Sequence, residues 1–130
     1  MREKKSEKYA DSPDCPVRHV LDRIGDKWSM LVLLVLSDQP ILRFTEIHKM
    51  IGSISQKMLA VTLKSLEADG LIKRKVYSEI PPRVEYQLTE RGKSLMPHLS
   101  ALMNWAMENM PDIKKSRNRF EKLQRKTVMS

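Results

Sequence analysis

The sequence predicts an α+β fold that is mostly helical. Apolar residues recur at spacings of three and four through most of the chain, which is typical of helices with one buried face. After Gly70 the apolar period changes to two, which indicates a short stretch of β-strand. A chain of 130 residues has room for one such domain and its tails, but not for two independent cores.

Two helices are predicted before residue 40. The first begins at Pro16, because proline is favoured at the first helical position and Asp14 or Cys15 can precede it as the cap. Gly25 ends this helix, and Asp26 is a good N-cap for the next one. The second helix is apolar on nearly all sides and is therefore expected to be buried. The apolar stripe of the first helix consists of Val17, Val20, Leu21 and Ile24.

Two short helices joined by a glycine follow. The first is predicted over residues 45–50, and Gly52 supplies the turn. Ser53 and Gln56 have the spacing of a capping box, which predicts a new helix start at Ser53. That helix is expected to run to Asp69, with Gly70 as its C-terminal cap. The pair is a helix-turn-helix pattern.

Residues 72–88 predict a β-hairpin. Ile72 and Val76 alternate with lysines before a proline-rich turn, and Val84, Tyr86 and Leu88 alternate with polar residues after it. A hairpin directly after a helix-turn-helix is a wing. The predicted fold is therefore a winged helix-turn-helix.

A last long helix is expected after the wing, capped by Thr89 and kinked or restarted at Pro97. Residues 112–130 are basic and are either helical or disordered. The predicted organisation is a flexible tail over residues 1–12, a winged helix-turn-helix domain with N- and C-terminal dimerisation helices over residues 13–110, and a basic C-terminal tail over residues 111–130. The apolar positions of the last helix are Leu95, Leu99, Leu102, Met103, Ala106 and Met110.

The net charge of +8 is unevenly distributed. Residues 43–93 hold ten bases and six acids, whereas their flanks, residues 9–42 and 94–110, hold three bases and six acids. A basic module between acidic flanks suits contact with phosphates. The basic C-terminal tail fits either DNA contact or a solubilising role.

Several motifs in a fixed order resemble the HxlR-type winged helix-turn-helix regulators, which are similar to the MarR-like regulators. The resemblance spans about residues 15–107 and implies a bacterial transcription regulator that binds double-stranded operator DNA as a homodimer. The motifs are Cys15-Pro16-Val17, Gly25-Asp26-Lys27-Trp28, Arg43-Phe44-Thr45-Glu46-Ile47, Ile54-Ser55-Gln56-Lys57-Met58-Leu59, Leu66-Glu67-Ala68-Asp69-Gly70-Leu71-Ile72, Pro82-Arg83-Val84-Glu85-Tyr86 and Leu88-Thr89-Glu90-Arg91-Gly92.

The second helix of the motif is the candidate for reading DNA. Its leucines at 59, 63 and 66 cluster on one side and are expected to face the core. Glutamine can pair with adenine, lysine can reach guanine or phosphate, and small apolar residues suit a thymine methyl group. The alternative for this face is simple solvation. The residues predicted to contact DNA are Ser55 and Gln56 at the N-terminal end, with Lys57, Ala60, Val61 and Lys64 along the outer face.

Two arginines outside this helix are further candidates. Arg83 lies at the wing tip beside two prolines and could enter a narrow minor groove or hold a phosphate. Arg43 resembles a position that contacts the DNA backbone in the family. Its alternative is a surface arginine with a local ion pair.

Cys15 is the candidate sensor residue. Its place beside Pro16, at a helix N-terminus, favours a thiolate. The resemblance implies a response to a small oxidant or electrophile, such as a quinone, and the alternative is a partly buried structural cysteine. Because the sequence has a single cysteine, sensing would need alkylation, a mixed disulfide or pairing across the dimer.

No enzyme, cofactor or metal site is expected. The three histidines have no metal-ligand spacing, and neither a phosphate-binding glycine loop nor a catalytic serine or cysteine motif is present. No apolar run is long enough to cross a membrane and no secretory signal is recognisable, so the cytoplasm is the expected location. The rival function is a winged-helix module that binds proteins and not DNA.

Overall fold

The computed structural model describes residues 15–129, so the tail predicted over residues 1–12 lies outside the described part. The chain divides into two units between Met96 and Pro97. The elements are α1 (Pro16–Ile24), α2 (Lys27–Asp38), α3 (Phe44–Ile51), α4 (Gln56–Ala68), β1 (Ile72–Tyr77), β2 (Arg83–Leu88) and α5 (Glu90–Met129).

The first two helices begin as their sequence predicts. Cys15 is the N-cap residue of α1, and Pro16 occupies its first turn. The Asp26 carboxylate caps α2 by accepting hydrogen bonds from the Ser29 backbone N–H at 2.9 Å and from the Ser29 hydroxyl at 2.7 Å. These bonds satisfy a backbone donor that the helix itself leaves unpaired.

The start of α4 differs from the sequence prediction. The expected capping box of Ser53 and Gln56 was wrong, because α4 begins at Gln56 and its N-cap is Ser55, whose hydroxyl accepts from the Met58 N–H at 3.0 Å. Gly52 makes the preceding turn with a φ of +82°, a conformation that glycine adopts without a Cβ penalty. Between them the side chain of Ile54 is buried, so the chain reaches the core before the helix can start.

The wing is a two-stranded antiparallel sheet. Its register runs from the Ile72–Leu88 pair at the base to the Tyr77–Arg83 pair at the tip. The base is joined to the segment before α3, where Leu42 and Tyr86 exchange backbone hydrogen bonds of 3.1 and 2.8 Å. Val76, predicted as part of the apolar alternation, is 52% exposed, because only the base of the hairpin packs against the core.

Helix α2 lies at the centre of this unit and contacts α1, α3, α4 and β2. Its predicted burial is confirmed on one side, where Val32, Leu33 and Leu36 are buried, but it does not extend all round, because Leu31 is 39% exposed. The leucine face of α4 packs into the same core, as its helical period predicts. The most deeply buried large side chains are Val32, Leu33, Leu36, Ile47, Leu59, Leu63, Leu66 and Ile72.

Thr89 caps α5, as predicted. Its hydroxyl accepts from the Gly92 N–H at 3.1 Å and donates to the Gly70 carbonyl at 2.6 Å, so one side chain joins the end of α4 to the start of α5. Pro97 and Pro111 both lie inside α5, which is assigned as helix without interruption. Of the two alternatives for residues 112–129, the structure adopts the helix. The order of elements confirms the mostly helical α+β, winged helix-turn-helix fold.

Candidate nucleic-acid interface

The exposed face of α4 is opposite to its buried face. Leu59, Thr62, Leu63 and Leu66 are buried, whereas the side of the helix one half-turn away faces solvent. All six of the residues predicted here for DNA contact lie on the exposed side: Ser55, Gln56, Lys57, Ala60, Val61 and Lys64.

This face combines hydrogen-bonding, cationic and apolar groups. Gln56 and Lys57 form the first turn of α4, where backbone N–H groups and the helix dipole favour an anion. Val61 is 56% exposed although it is β-branched and apolar. Ser55 uses its hydroxyl oxygen to cap the helix, and the hydroxyl hydrogen is left to donate outward.

Arg43 lies at the start of α3 and is exposed. Its backbone N–H donates to the Glu46 carboxylate at 2.9 Å, which fixes the main chain at this position. Within the described residues no carboxylate lies within ion-pair distance of its guanidinium group. The alternative of a local ion pair is therefore not seen, and the side chain can extend toward a phosphate.

Arg83 is placed differently from the other predicted contacts. It is the first residue of β2 and not the outermost point of the wing. Its guanidinium forms ion pairs with Glu79 at 3.3 Å and with Glu85 at 3.5 Å, although the buried Nε atom on the Glu85 side makes no hydrogen bond within the described residues. The guanidinium carbon also lies 4.0 Å from the centre of the Tyr77 ring. The structure thus surrounds Arg83 with partners from its own chain.

Strand β1 carries three consecutive bases that the sequence analysis did not assign to a site. Lys73, Arg74 and Lys75 are all exposed, and no ion pair within the described residues involves any of them. Lys75 rests over the Tyr77 ring at 5.0 Å. The alternation of basic and apolar residues over 72–76 predicts a strand. From the sequence, these lysines were interpreted only as the polar face of that strand, and not as a site that contacts DNA.

Cys15 is buried at the N-terminus of α1, with 3% of its surface exposed. Its carbonyl accepts from the His19 N–H at 3.0 Å, which makes it part of the first helical turn. A buried thiol reacts only when the surrounding chain opens or when the reagent reaches it through a gap.

Helix α1 presents an apolar stripe that no other described residue covers fully. Val17, Val20 and Leu21 are 38%, 51% and 59% exposed, while Ile24 at the end of the same stripe is buried. Clustered exposed aliphatic residues on one helix face are typical of a protein interface.

Helix α5 has a second set of exposed apolar residues in the unit that begins at Pro97. Of the stripe predicted from the sequence, Leu99 is buried, Leu95 and Ala106 are half-buried, and the rest are exposed. The exposed large apolar residues up to residue 110 are Leu102, Met103, Trp105, Met107 and Met110.

Two other features are absent from the part of the chain that the structure describes. No group of three His, Cys, Asp or Glu side chains among these residues is arranged to hold a metal ion. None of the helices described here is long and apolar enough to cross a membrane.

The family described as HxlR-like helix-turn-helix matches residues 23–114 of the chain. Among curated proteins, an HTH-type transcriptional regulator of Methanothermobacter thermautotrophicus is 54% identical over 91 residues, which is 70% of this chain and 69% of that protein. The family match over residues 23–114 includes the helix-turn-helix, the wing and the first part of α5.

The chain is also similar to solved structures of bacterial and redox regulators. The redox regulator HypR in its reduced form is similar with a TM-score of 0.72 and 39% sequence identity, covering 77% of this chain and 98% of that one. The diamide-treated form of YodB from Bacillus subtilis is similar with a TM-score of 0.62 and 38% identity, covering 75% and 96%.

Proposed function

Because this chain belongs to the HxlR-like helix-turn-helix family, whose members are transcription regulators and not enzymes, we propose that it binds operator DNA through α4. The observation that carries the proposal is the exposed face of this helix. It presents an amide, two ammonium groups and small apolar side chains around an accessible N-terminus, while its leucines anchor it to the core. A recognition helix inserts such an N-terminal end into the major groove.

Each side chain on this face has a role suited to its chemistry. Gln56 is placed to pair with an adenine edge, and Lys57 with guanine or a phosphate. Ala60 and Val61 fit against a thymine methyl group, whereas Lys64, one turn further along, contacts the sugar-phosphate backbone. Ser55 and Arg43 add backbone contacts that fix the register of the helix on the duplex.

A protein-interaction module is the rival function. Such a module has no need of cations on both the helix and the wing. Here exposed lysines occur on α4 at 57 and 64 and on β1 at 73 and 75. Cations on both elements favour a polyanionic partner, since each phosphate contact releases condensed counterions.

The proposed binding species is a homodimer. The exposed stripe of α1 and the exposed stripe of α5 are the two surfaces that a second copy would cover. A single recognition helix reads only a few base pairs, so a two-fold symmetric pair supplies the remaining specificity. The operator is then an inverted repeat with half-sites about one helical turn apart, roughly 34–36 Å. A regulator of this kind acts on the genome, so the proposed location is the cytoplasm.

We further propose that an oxidant or electrophile at Cys15 changes DNA affinity. The thiol lies at the start of α1, next to the stripe assigned to the dimer. An adduct on Cys15 would alter the proposed dimer interface at α1 without contacting either recognition helix. Similarity to HypR, a redox regulator, and to the diamide-treated YodB supports this assignment.

The proposal is tested by selecting genomic DNA fragments with the purified protein in the presence of competitor DNA. Sequencing should recover fragments that share an inverted repeat, and these fragments should shift in a native gel. Lys57→Ala should weaken that binding by about 1–3 kcal/mol, while Lys93→Ala, which removes an equal charge from an exposed side chain of α5, should not. Recovery of unrelated fragments with equal affinity would reject sequence-specific DNA binding.

A further inference from the structure

The surroundings of Arg83 conflict with a direct contact to DNA. Two carboxylates lie within ion-pair distance of its guanidinium group and an aromatic ring lies against it, and the Arg83 side chain as a whole is 30% exposed. To reach a phosphate or a minor groove, Arg83 would have to leave Glu79, Glu85 and the Tyr77 ring together. Planar guanidinium groups are well suited to the opposite task, because they stack on aromatic rings and bond to carboxylates at the same time.

The partners of Arg83 come from three different parts of the wing. Tyr77 is its cross-strand partner at the end of β1, and Glu85 lies two residues further along β2 on the same face of the sheet. Glu79 belongs to the connection between the strands, where its N–H also donates to the Tyr77 carbonyl at 2.9 Å. Arg83 therefore ties the connecting segment to both strands.

The face that carries this cluster also carries the lysines of β1. Lys73, Lys75 and Tyr77 alternate along one side of the strand, opposite Gln87, Glu85 and Arg83 respectively. Lys73 is exposed and has no ion pair within the described residues, and Lys75 leans over the ring that Arg83 stacks on. The Lys73 ammonium group can reach a phosphate while the cluster stays intact. Lys75 would have to leave only the Tyr77 ring, because it has no ion pair within the described residues.

We propose that Arg83 is a positioning residue, which fixes the wing by joining Tyr77, Glu79 and Glu85, and that Lys73 and Lys75 make the contact of the wing with DNA phosphates. This inference rests on the proposed function, since it assumes that the wing meets the duplex. It replaces the assignment of Arg83 as a contact that its sequence position suggests.

Two substitutions can distinguish whether Arg83 contacts a phosphate or positions the wing, because one keeps its charge and the other leaves Arg83 itself unchanged. Arg83→Lys keeps the positive charge but loses the planar group that bridges two carboxylates and stacks on the ring. Tyr77→Leu removes the stacking without changing the charge. A phosphate contact tolerates the first change, whereas a wing held by the cluster is loosened by either one.

The experiment measures operator affinity by fluorescence anisotropy at several salt concentrations for wild type, Arg83→Lys, Tyr77→Leu and the double variant. We expect each single variant to bind at least about fivefold more weakly, and the double variant to bind no more weakly than either, because both remove the same arrangement. Hydrogen exchange without DNA should be faster in the wing of each variant and unchanged in α4. Wild-type affinity for Arg83→Lys, or independent losses that multiply in the double variant, would overturn the positioning role.

The proposed phosphate contacts of Lys73 and Lys75 are tested separately, by the salt dependence of operator affinity. Lys73→Gln should reduce the slope of log affinity against log salt by about 0.9, the value for one phosphate contact on duplex DNA. An unchanged slope would remove Lys73 from the interface. Failure of the wild-type protein to bind any operator would instead reject the proposed function, so the two failures are distinguishable.

Discussion

The α-carbon of Gly92 lies so close to the carbonyl of Leu71 that a Cβ on Gly92 would overlap the Leu71 oxygen. The first turn of α5 is packed directly on the turn that follows α4, and the Thr89 N–H donates to the same carbonyl at 3.0 Å. The Gly92 α-carbon and the Leu71 carbonyl both belong to the main chain. Neither can move without displacing the turn or helix to which it belongs. This close approach fixes the first turn of α5 against the turn that follows α4.

The Gly92→Ala variant should therefore lose about 1–3 kcal/mol of folding free energy, the usual cost of forcing extra atoms into a packed site. Urea denaturation measures the loss. Ser94→Ala, an exposed change in the same helical turn, should stay within about 0.5 kcal/mol of wild type. Equal stability of Gly92→Ala and wild type would show that the first turn of α5 is not tightly packed on the turn after α4.

Asp26 should make the stability of the domain depend on pH. Burial raises the pKa of its carboxyl group, but hydrogen bonds from the Ser29 N–H and hydroxyl outweigh that effect and bring the pKa below the usual value of 3.8. A group whose pKa is lowered by folding stabilises the protein above its unfolded pKa, and the contribution is lost as the pH falls through the folded pKa.

The Asp26→Ala variant should thus cost about 0.5–2 kcal/mol near neutral pH, through loss of the helix cap. The difference from wild type should shrink below the usual pKa of 3.8. Urea titrations between pH 6 and 3 measure it. Asp38→Ala, at the other end of α2, is the control and should show no such loss. A difference that stays constant down to pH 3 would contradict the role assigned to the charged carboxylate.

The dimer proposed from the exposed stripe of α1 predicts a change in mass on substitution. A glutamate at position 21 would place a charge in the buried centre of that interface, so Leu21→Glu should convert the dimer to a folded monomer. Ile41→Glu is the matched control, because Leu21 and Ile41 are 59% and 54% exposed. Light scattering at micromolar concentration gives the mass. A monomeric wild type, or a dimeric Leu21→Glu variant, would remove α1 from the interface.

Treatment with diamide or a quinone should change the operator affinity of wild type but not that of Cys15→Ser. Coupling between a modified site and a distant binding site is typically about 5–150-fold in affinity. Because Cys15 is buried, the reaction should be slow unless the start of α1 opens. Identical responses of the two proteins would assign Cys15 a structural role.

The buried and exposed faces of α4 are predictable from the sequence, because the helical period of 3.6 residues determines which residues share a face. Three leucines fall on one side, and the residues between them must then face solvent. The start of the same helix could not be located to the residue. Ser53 and Ser55 are both acceptable caps, and the choice depends on Ile54 reaching the core, which is a tertiary contact.

The environment of Arg83 was not predictable from local pattern either. Its sequence neighbours, two prolines and a valine, suggest an exposed wing tip. The register of the hairpin brings Tyr77 and Glu79 against it, and register is decided by how the whole hairpin pairs. Side chains on a helix face can be assigned from spacing alone, whereas partners across a turn cannot.

The central claim is that the N-terminal face of α4 reads base sequence. The direct measurement is selection from a random duplex library by wild type and by Gln56→Ala, followed by sequencing and affinity titration. Wild type should select an inverted repeat, and Gln56→Ala should lose preference at one base pair in each half-site, at a cost of about 1–3 kcal/mol there. Selection of the same site by both proteins, with equal affinity and equal preference at every position, would contradict the assignment.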